Sequence, residues 1–354
     1  MVLVTVAAIV LMLVSVEGAV RLRQMLKYGS ATVAEEHYTV DRSINLRVAV
    51  PNYSTARISI NSLGFRGPEI AVPKPPHTVR LAFLGASTTW CAEVSGNDFV
   101  WAHLVIQSLG RAFPGAQFDY VNGSLPGYTV SSLHKNLQYR IAPLKPDVIV
   151  IYEAANNLSG EMRELAEKQG IIAEAKMEQL SWPSRYSLFL NLVEKNLRVL
   201  DAQRAARTNQ GRLAVTAGTL GAEYRRELLE LVLAAQKTAK LVAIATFSIH
   251  PRREQTPEQQ LRALSSAIFY TPFVTPIGII EGYERYNQIA REVAKETGAY
   301  LIEGAYDIPG DSVHFADTVH FTDAGSKAMA HRINRALVSN PTLRRILADN
   351  AAAR

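Results

Sequence analysis

Apolar runs of strand length alternate with helical patterns from residue 79 onward. The strand-like runs are residues 79–84, 118–121, 147–152, 241–247 and 300–302, and the third is apolar enough to be buried on both faces. Apolar residues at helical spacing predict helices near residues 99–109, 130–141, 223–237, 283–296 and 323–337. Strands that alternate with helices predict a parallel sheet with helices on both sides.

The first residues form an apolar run with the character of a membrane anchor. Residues 2–16 carry no charge and span about 22 Å as a helix, whereas a bilayer core needs about 30 Å, so the span has to extend through residues 17–20. A signal peptide would carry Lys or Arg near Met1 and a clear cleavage site, so we favour an uncleaved transmembrane helix at residues 1–20, with a signal-like segment as the alternative that stays open. Arg21, Arg23 and Lys27 favour a cytoplasmic position for the residues after the span, which leaves its orientation open.

Composition divides the rest of the chain into a segment before the main domain, the main domain itself and a C-terminal tail. Residues 21–78 contain five prolines and no sustained helical period, which predicts a juxtamembrane segment that packs on the main domain, with short strands near Val48 and at residues 58–60. The main domain covers residues 79–340. Within it, about 160–220 is rich in helix formers and predicts a helical insertion over the active edge of the sheet. Residues 341–354 are expected to form a C-terminal tail.

Composition excludes several classes of function. With 48% hydrophobic and 20% charged residues, a packed core is expected. The net charge of +6 comes from scattered Lys and Arg without a basic stripe, so no nucleic-acid partner is expected. Cys91 is the single cysteine, which excludes an internal disulfide and a multi-cysteine metal site, and we expect it to be a small buried residue. No phosphate loop or dinucleotide motif follows a strand, so no nucleotide cofactor is expected.

Polar segments follow the predicted strands where each strand ends. Ser87 follows the first strand, Gly127 the second and Asn156 the third, and Asp317-Thr-Val-His320 precedes the last helix. Singly, these residues are typical of helix caps and turns. As an ordered set at the carboxyl edge of one parallel sheet, where ligands bind, they indicate a site.

These residues supply what acyl transfer requires. Ser87 offers a hydroxyl nucleophile, His320 can take its proton, and Asp317 can hold the imidazole in one tautomer. The backbone N–H groups of Ser87 and Gly127 and the side-chain amide of Asn156 could form an oxyanion hole.

The same segments resemble the signature blocks of the SGNH hydrolase (GDSL esterase/lipase) superfamily, in which Ser, Gly, Asn and His occur in this order. The resemblance covers about residues 79–338, and residues 61–67 resemble a segment of membrane-anchored bacterial members. It implies a three-layer α/β/α flavodoxin-like fold, ester or acetyl-ester substrates, and no metal or other cofactor. Ala86 and Asn157 stand where the family usually has Asp, and Ala154 where it has Gly, which predicts a weakened oxyanion loop.

The leading hypothesis is therefore a membrane-anchored serine esterase that removes acyl groups, with O-acetyl groups of cell-envelope polysaccharide as the expected substrate and an extracytoplasmic catalytic domain. Two alternatives stay open: an O-acetyltransferase that uses the same triad on glycans, and a non-catalytic envelope protein that keeps the fold for binding. The acyl group, the acceptor and the oligomeric state stay open.

Overall fold

The computed structural model describes residues 2–28, 37–172, 181–206, 213 and 217–352. Its centre is a parallel five-stranded sheet, and a two-stranded antiparallel hairpin precedes it in the chain. The strands are β1 (Tyr38–Asp41), β2 (Leu46–Ala49), β3 (Thr78–Gly85), β4 (Gln117–Ser124), β5 (Val148–Tyr152), β6 (Leu241–Ala245) and β7 (Tyr300–Ile302).

Twelve α-helices are described. They are α1 (Val2–Tyr28), α2 (Ser87–Trp90), α3 (Trp101–Ala112), α4 (Val130–Asn136), α5 (Ala155–Lys168), α6 (Leu188–Ala206), α7 (Ala222–Thr238), α8 (Pro257–Ala263), α9 (Ser265–Tyr270), α10 (Pro276–Thr297), α11 (Asp323–Ser339) and α12 (Pro341–Ala352). Single turns of 3₁₀ helix lie at Asn97–Phe99, Ala142–Leu144, Pro183–Arg185 and Ala217–Thr219, and a π turn at Leu137–Ile141 extends α4.

The main sheet has the strand order β4-β3-β5-β6-β7, which is the flavodoxin-like order and confirms the predicted fold class. The two strands at its centre, β3 and β5, are buried along their whole length, because helices cover both faces of the sheet. The chain leaves β3 in one direction to form β4 and returns past it to form β5. The order therefore reverses between β3 and β5, and a crevice opens at their carboxyl ends.

One helix is longer than the sequence pattern predicts, because packing extends its buried face. Helix α10 begins at Pro276, two turns earlier than expected, since Ile279 and Ile280 continue its buried face and Thr275 caps its first turn. Helices α8 and α9 were not predicted.

The segments predicted as an insertion and a tail are both helical where they are described. Of the region 160–220, the structure describes the end of α5, all of α6 and the turn before α7, whereas residues 173–180, 207–212 and 214–216 lie outside the described residues. Residues 341–352 form α12, whose Leu343 and Ile346 are buried.

Among the described residues, one helix is long and apolar enough to cross a bilayer. The span is Val2–Leu26 within α1, with a mean hydropathy of 2.4, and none of it is buried inside the protein over its most apolar window. A signal sequence has the same length and composition.

Residues 37–78 are fastened to the main domain by a buried arginine. The Arg66 guanidinium donates to the carbonyl oxygens of Trp90 (2.6 Å) and Cys91 (2.7 Å), where α2 ends, and to the Asn97 side chain (2.9 Å). A further bond to the carbonyl oxygen of Arg57 (3.0 Å) closes the segment on itself. The segment therefore supports the turn that follows β3.

We expect Arg66→Ala to lower the free energy of unfolding by about 3 kcal/mol, because buried carbonyl oxygens would lose a charged donor. Urea unfolding of the detergent-solubilised chain measures the change. Arg111→Ala removes an exposed arginine of α3 and serves as the matched control, with an expected change within about 0.5 kcal/mol. Equal stability of the two variants would contradict the fastening role of Arg66.

Candidate active site

Ser87 lies at the carboxyl end of β3, beside the reversal point of the sheet. It is the first residue of α2, where backbone N–H groups have no partner within the helix. Gly85 makes this abrupt turn possible: a side chain there would place its Cβ 2.6 Å from the carbonyl oxygen of Tyr152 on β5 and against Thr89. Half-buried Ser87 thus projects from a tight strand-to-helix turn.

His320 and Asp317 reach Ser87 from the loop before α11. His320 Nε2 lies 2.8 Å from Ser87 Oγ, and His320 Nδ1 lies 2.7 Å from Asp317 Oδ2. The other carboxylate oxygen of Asp317 accepts from the backbone N–H groups of Val319 (2.9 Å) and His320 (3.0 Å). The carboxylate is therefore fixed, and it holds the Nδ1 proton, so that in the neutral imidazole Nε2 can accept from Ser87. The structure brings together all three residues that the sequence singled out for proton transfer.

Charge around His320 favours its protonated form. Burial disfavours the imidazolium, but the charges of Glu93 and Asp317 and the Asp317 hydrogen bond together raise the pKa of His320 to about 9. Burial would raise the pKa of Asp317, yet the hydrogen bond and charge of His320 hold that pKa below its usual value. A positive charge that forms on His320 is therefore well compensated.

The segments expected to supply the oxyanion hole flank the same crevice. Gly127 has φ +81°, a conformation that favours glycine, and a Cβ there would lie 2.9 Å from Arg47 Nη2. Arg47 of β2 also donates to the carbonyl oxygen of Pro126, and Tyr128 Oη donates to the Arg47 carbonyl oxygen at 2.5 Å. Residues before the main domain thus brace this turn, which the sequence did not reveal.

Asn156 is oriented by the same turn. Its side-chain amide donates to the carbonyl oxygen of Tyr128 at 2.8 Å, which uses one of its two N–H groups and directs the amide toward the turn after β4. The second N–H is the one that could meet an oxyanion.

Asn157, where the family usually has Asp, joins two elements. Its side-chain oxygen accepts from Val130 N (2.9 Å) at the start of α4, and its side-chain nitrogen donates to Glu227 Oε2 (3.0 Å) on α7. An aspartate here would face the Glu227 carboxylate, so an amide is the residue that fits. Ala154 has a negative φ of −157°, outside the left-handed region that favours glycine.

Glu153 is a buried carboxyl group to which the sequence gave no role. Its Oε1 accepts from Asn156 N at 3.0 Å, its Oε2 has no hydrogen-bond partner, and Tyr224 donates to its backbone carbonyl oxygen at 2.8 Å. Burial raises the pKa of Glu153 to about 8, against the lowering effect of the Asn156, Ala154 and Ala86 N–H groups. Glu153 is therefore largely neutral at pH 7 and holds the start of α5 beside the Ser87 turn. Its position directly after a buried strand was the available signal.

A second Asp-x-x-His pair lies six residues upstream. His314 Nδ1 lies 2.8 Å from Asp311 Oδ1, which repeats the local geometry of Asp317 and His320. His314 is half-buried, and both its backbone N–H and its ring bond Asp311 in the same loop.

The remaining residues near the site are structural. Trp90 and Tyr128 are buried, so they pack rather than line a surface. Cys91 is also buried, and burial raises the pKa of its thiol to about 12. Among the described residues, no group of three or more His, Cys, Asp or Glu side chains is arranged to hold a metal ion.

A cavity of about 400 Å³ lies between α5 and α7, with Asn156 but neither Ser87 nor His320 in its lining. Its lining is polar and rich in carboxylates. The carboxylates are Glu161, Glu164, Glu223 and Glu227, and the other polar lining residues include Thr129, Asn156 and Asn157.

A family model and several solved structures match this chain. A model of the GDSL-like lipase/acylhydrolase family matches residues 83–328. The chain is similar to the solved structure of Axe2, an acetylxylan esterase from Geobacillus stearothermophilus, at 16% identity and a TM-score of 0.44, over 75% of this chain and 96% of that one. It is also similar to LAE5, described as an alpha/beta hydrolase enzyme from the metagenome of Lake Arreo in Spain, at 17% identity and a TM-score of 0.43, over 73% and 94%. The comparison with curated proteins gave no match.

The charge of Glu93 is expected to set the pH at which Ser87 reacts. If His320 takes the proton of Ser87, Ser87 should react only when His320 is neutral, so the rate of labelling by a fluorophosphonate should rise with pH through the raised pKa of His320 and level off above about 9. Glu93→Gln removes the charge that most favours the imidazolium, so the rise should move to lower pH and labelling at pH 7 should become faster. Asp98→Asn, an exposed carboxylate near His103, is the matched control. An unchanged profile for Glu93→Gln would refute this electrostatic account.

Proposed function

The chain belongs to the GDSL-like lipase/acylhydrolase family, and we propose that it cleaves ester bonds through an acyl-enzyme formed on Ser87. Membership of this family makes it an ester-hydrolysing serine hydrolase, and the non-catalytic alternative is set aside. The observation that supports the proposed nucleophile is the contact of 2.8 Å between Ser87 Oγ and His320 Nε2, with Asp317 on the other ring nitrogen.

In the proposed reaction, Ser87 Oγ attacks the ester carbonyl carbon while its proton passes to His320 Nε2. The tetrahedral intermediate collapses, the bond to the leaving alcohol breaks, and His320 returns the proton to that oxygen. Water then attacks the acyl-Ser87 ester with His320 again as base, which releases the carboxylic acid and regenerates the hydroxyl. Asp317 stabilises the imidazolium in both halves.

The negative charge of each tetrahedral intermediate falls on the former carbonyl oxygen. We assign its stabilisation to the N–H groups of Ser87 and Gly127 and to the Asn156 side-chain N–H that does not bond Tyr128. These donors lie on three separate turns. Arg47 and Glu153 act on them indirectly, because Arg47 braces the Gly127 turn and Glu153 holds the Asn156 backbone.

The substrate we propose is a small acyl ester, such as an O-acetyl group, on a hydroxyl-rich molecule such as a cell-envelope polysaccharide. The cavity beside Asn156 supports a hydroxyl-rich substrate, because its carboxylate and amide oxygens can accept hydrogen bonds from sugar hydroxyls. Transfer of the acyl group to a second glycan would use the same acyl-enzyme and differ only in the acceptor.

For the N-terminal helix, we propose a single-pass membrane anchor with an extracytoplasmic catalytic domain. The length and hydropathy of Val2–Leu26 support the anchor, and the glycan substrate supports the side of the membrane. Alkali-resistant co-flotation of the full chain with membranes tests the anchor, and accessibility of the catalytic domain to added protease in intact cells tests the side.

Ser87→Ala and His320→Ala are each expected to lower kcat/KM for p-nitrophenyl acetate by at least about 10³-fold, because either change removes the activated nucleophile. His314→Ala is the matched control, since it breaks a similar His–Asp pair in the same loop, and it should retain near-normal activity. Free acetate as the product from an acetylated glycan indicates hydrolysis, and an acetylated acceptor sugar indicates transfer. Full activity of Ser87→Ala would end the proposal.

Glu153→Ala is expected to lower kcat about tenfold with little change in KM, because loss of the acceptor for Asn156 N–H loosens a donor that acts mainly in the transition state. Glu153→Gln keeps an oxygen acceptor and matches the neutral form of a carboxyl group whose pKa is about 8, so at pH 7 it should stay within about twofold of the parent. The two variants are compared in steady-state kinetics at pH 7. An equal loss in both would indicate that the charge of Glu153, rather than its acceptor oxygen, is required.

A further inference from the structure

Helix α1 has two parts that differ in their surroundings. The side chains of residues 2–15 are exposed, whereas Val16, Glu17, Val20 and Arg21 are half-buried against the rest of the protein. The exposed part is the uncharged run. Contact with the rest of the protein therefore begins where the uncharged run ends, within the last part of the Val2–Leu26 span.

At that boundary, α1 is joined to the start of α6. The Glu17 carboxylate accepts from Ser187 Oγ (2.7 Å), Leu188 N (3.0 Å) and Phe189 N (2.9 Å), so it caps the first turn of α6. Arg21 donates to Glu17 (2.7 Å) and to the Tyr186 carbonyl oxygen (2.9 Å). If residues 2–16 lie in a bilayer, these bonds fix the start of α6 at the membrane–water boundary.

From this point α6 carries an exposed apolar stripe. Its members share one face of the helix, at spacings of three, four and three residues, and are Leu190, Val193, Leu197 and Leu200. The buried residues Leu188 and Asn191 lie on another side, and the helix packs on α9. The stripe is about 15 Å long.

Two aromatic side chains lie just before the stripe. Trp182 and Tyr186 are 72% and 67% exposed, and their ring centroids are 5.5 Å apart. Such amphipathic rings are favoured at the level of lipid headgroups. Residues 181–206 also carry four basic and two acidic side chains, a balance that suits anionic lipid.

We propose that the exposed face of α6, with Trp182 and Tyr186, lies on the bilayer surface and forms a second membrane contact beside α1. The occupant is lipid rather than a second copy of the chain, since the capping bonds of Glu17 place the beginning of the stripe where the uncharged run of α1 ends, near one end of the span. The proposal rests on the membrane anchoring proposed for α1.

This contact would hold the catalytic loop near the membrane. Helix α9, on which α6 packs, contacts the segment between Asp317 and His320: Thr318 N donates to Ser266 Oγ and Ala267 N donates to Thr318 Oγ1, both at 3.2 Å. One short helix therefore separates the lipid-facing surface from the loop that carries the base.

The three tryptophans provide a native readout of the contact. Trp90 and Trp101 are fully buried, so Trp182 is the one that a lipid-borne quencher can reach. The full chain is reconstituted in vesicles of phosphatidylcholine and phosphatidylglycerol with brominated acyl chains. We expect quenching of tryptophan emission relative to unbrominated vesicles, and loss of that quenching in Trp182→Phe.

The stripe is tested by Leu197→Glu combined with Leu200→Glu, which should reduce the quenching at least twofold. Leu233→Glu, the same change at an exposed leucine of α7, is the matched control and should leave it unchanged. Thermal unfolding checks that each variant is folded, and the proposal requires the parent and Leu233→Glu to give the same quenching.

The outcomes separate this proposal from the anchoring on which it rests. If the protein floats with alkali-washed vesicles but its Trp182 emission is not quenched, the protein is anchored through α1 without a contact between α6 and lipid. This result would overturn the proposal. Quenching that the stripe variant leaves unchanged overturns the role of the stripe. Crosslinking of the inserted parent through α6 into dimers, lost in the stripe variant, would assign the face to a second copy instead. Failure to float would refute the anchor itself.

Discussion

The parallel pairing of β3 with β5 is the constraint on which the rest of the site depends. Gly85 lies beside Tyr152 in the register of these strands, and the chain can pass so close only because residue 85 has no side chain. This contact sets the Ser87 turn directly against the Glu153–Asn157 turn. The proposed nucleophile is thereby held by backbone geometry beside the turn that carries Asn156, whereas His320 and Asp317 come from the loop before α11.

The strands and the order of the polar segments were predictable from sequence, because buried strands in a parallel sheet leave long apolar runs and ligands meet their carboxyl ends. Ser87, Asn156, Asp317 and His320 were found in this way, and the structure brings Ser87, Asp317 and His320 into direct contact. His320 was selected together with its neighbour Asp317, although His314 has a similar neighbour in Asp311. Both follow an Asp by three residues, and only tertiary packing decides which ring meets the serine.

What the sequence could not show depends on contacts between distant segments. Arg47 lies in a proline-containing stretch with no active-site motif, yet it braces the Gly127 turn. The departure at Asn157 suggested a weakened loop, whereas the structure pairs this amide with Glu227, a residue seventy positions away. Local sequence patterns do not reveal such partners, because two residues that form a hydrogen bond across the fold can lie at any separation in the sequence.

The burial of Cys91 has a practical consequence for spectroscopy. The chain has one thiol, and it is enclosed behind the Ser87 turn with its side chain directed at the Thr88 carbonyl oxygen. A thiol that is both inaccessible and held in its protonated form reacts slowly with maleimides and nitroxide reagents at neutral pH. A cysteine introduced on the surface could therefore carry a spin label or fluorophore alone, with the native residue left in place.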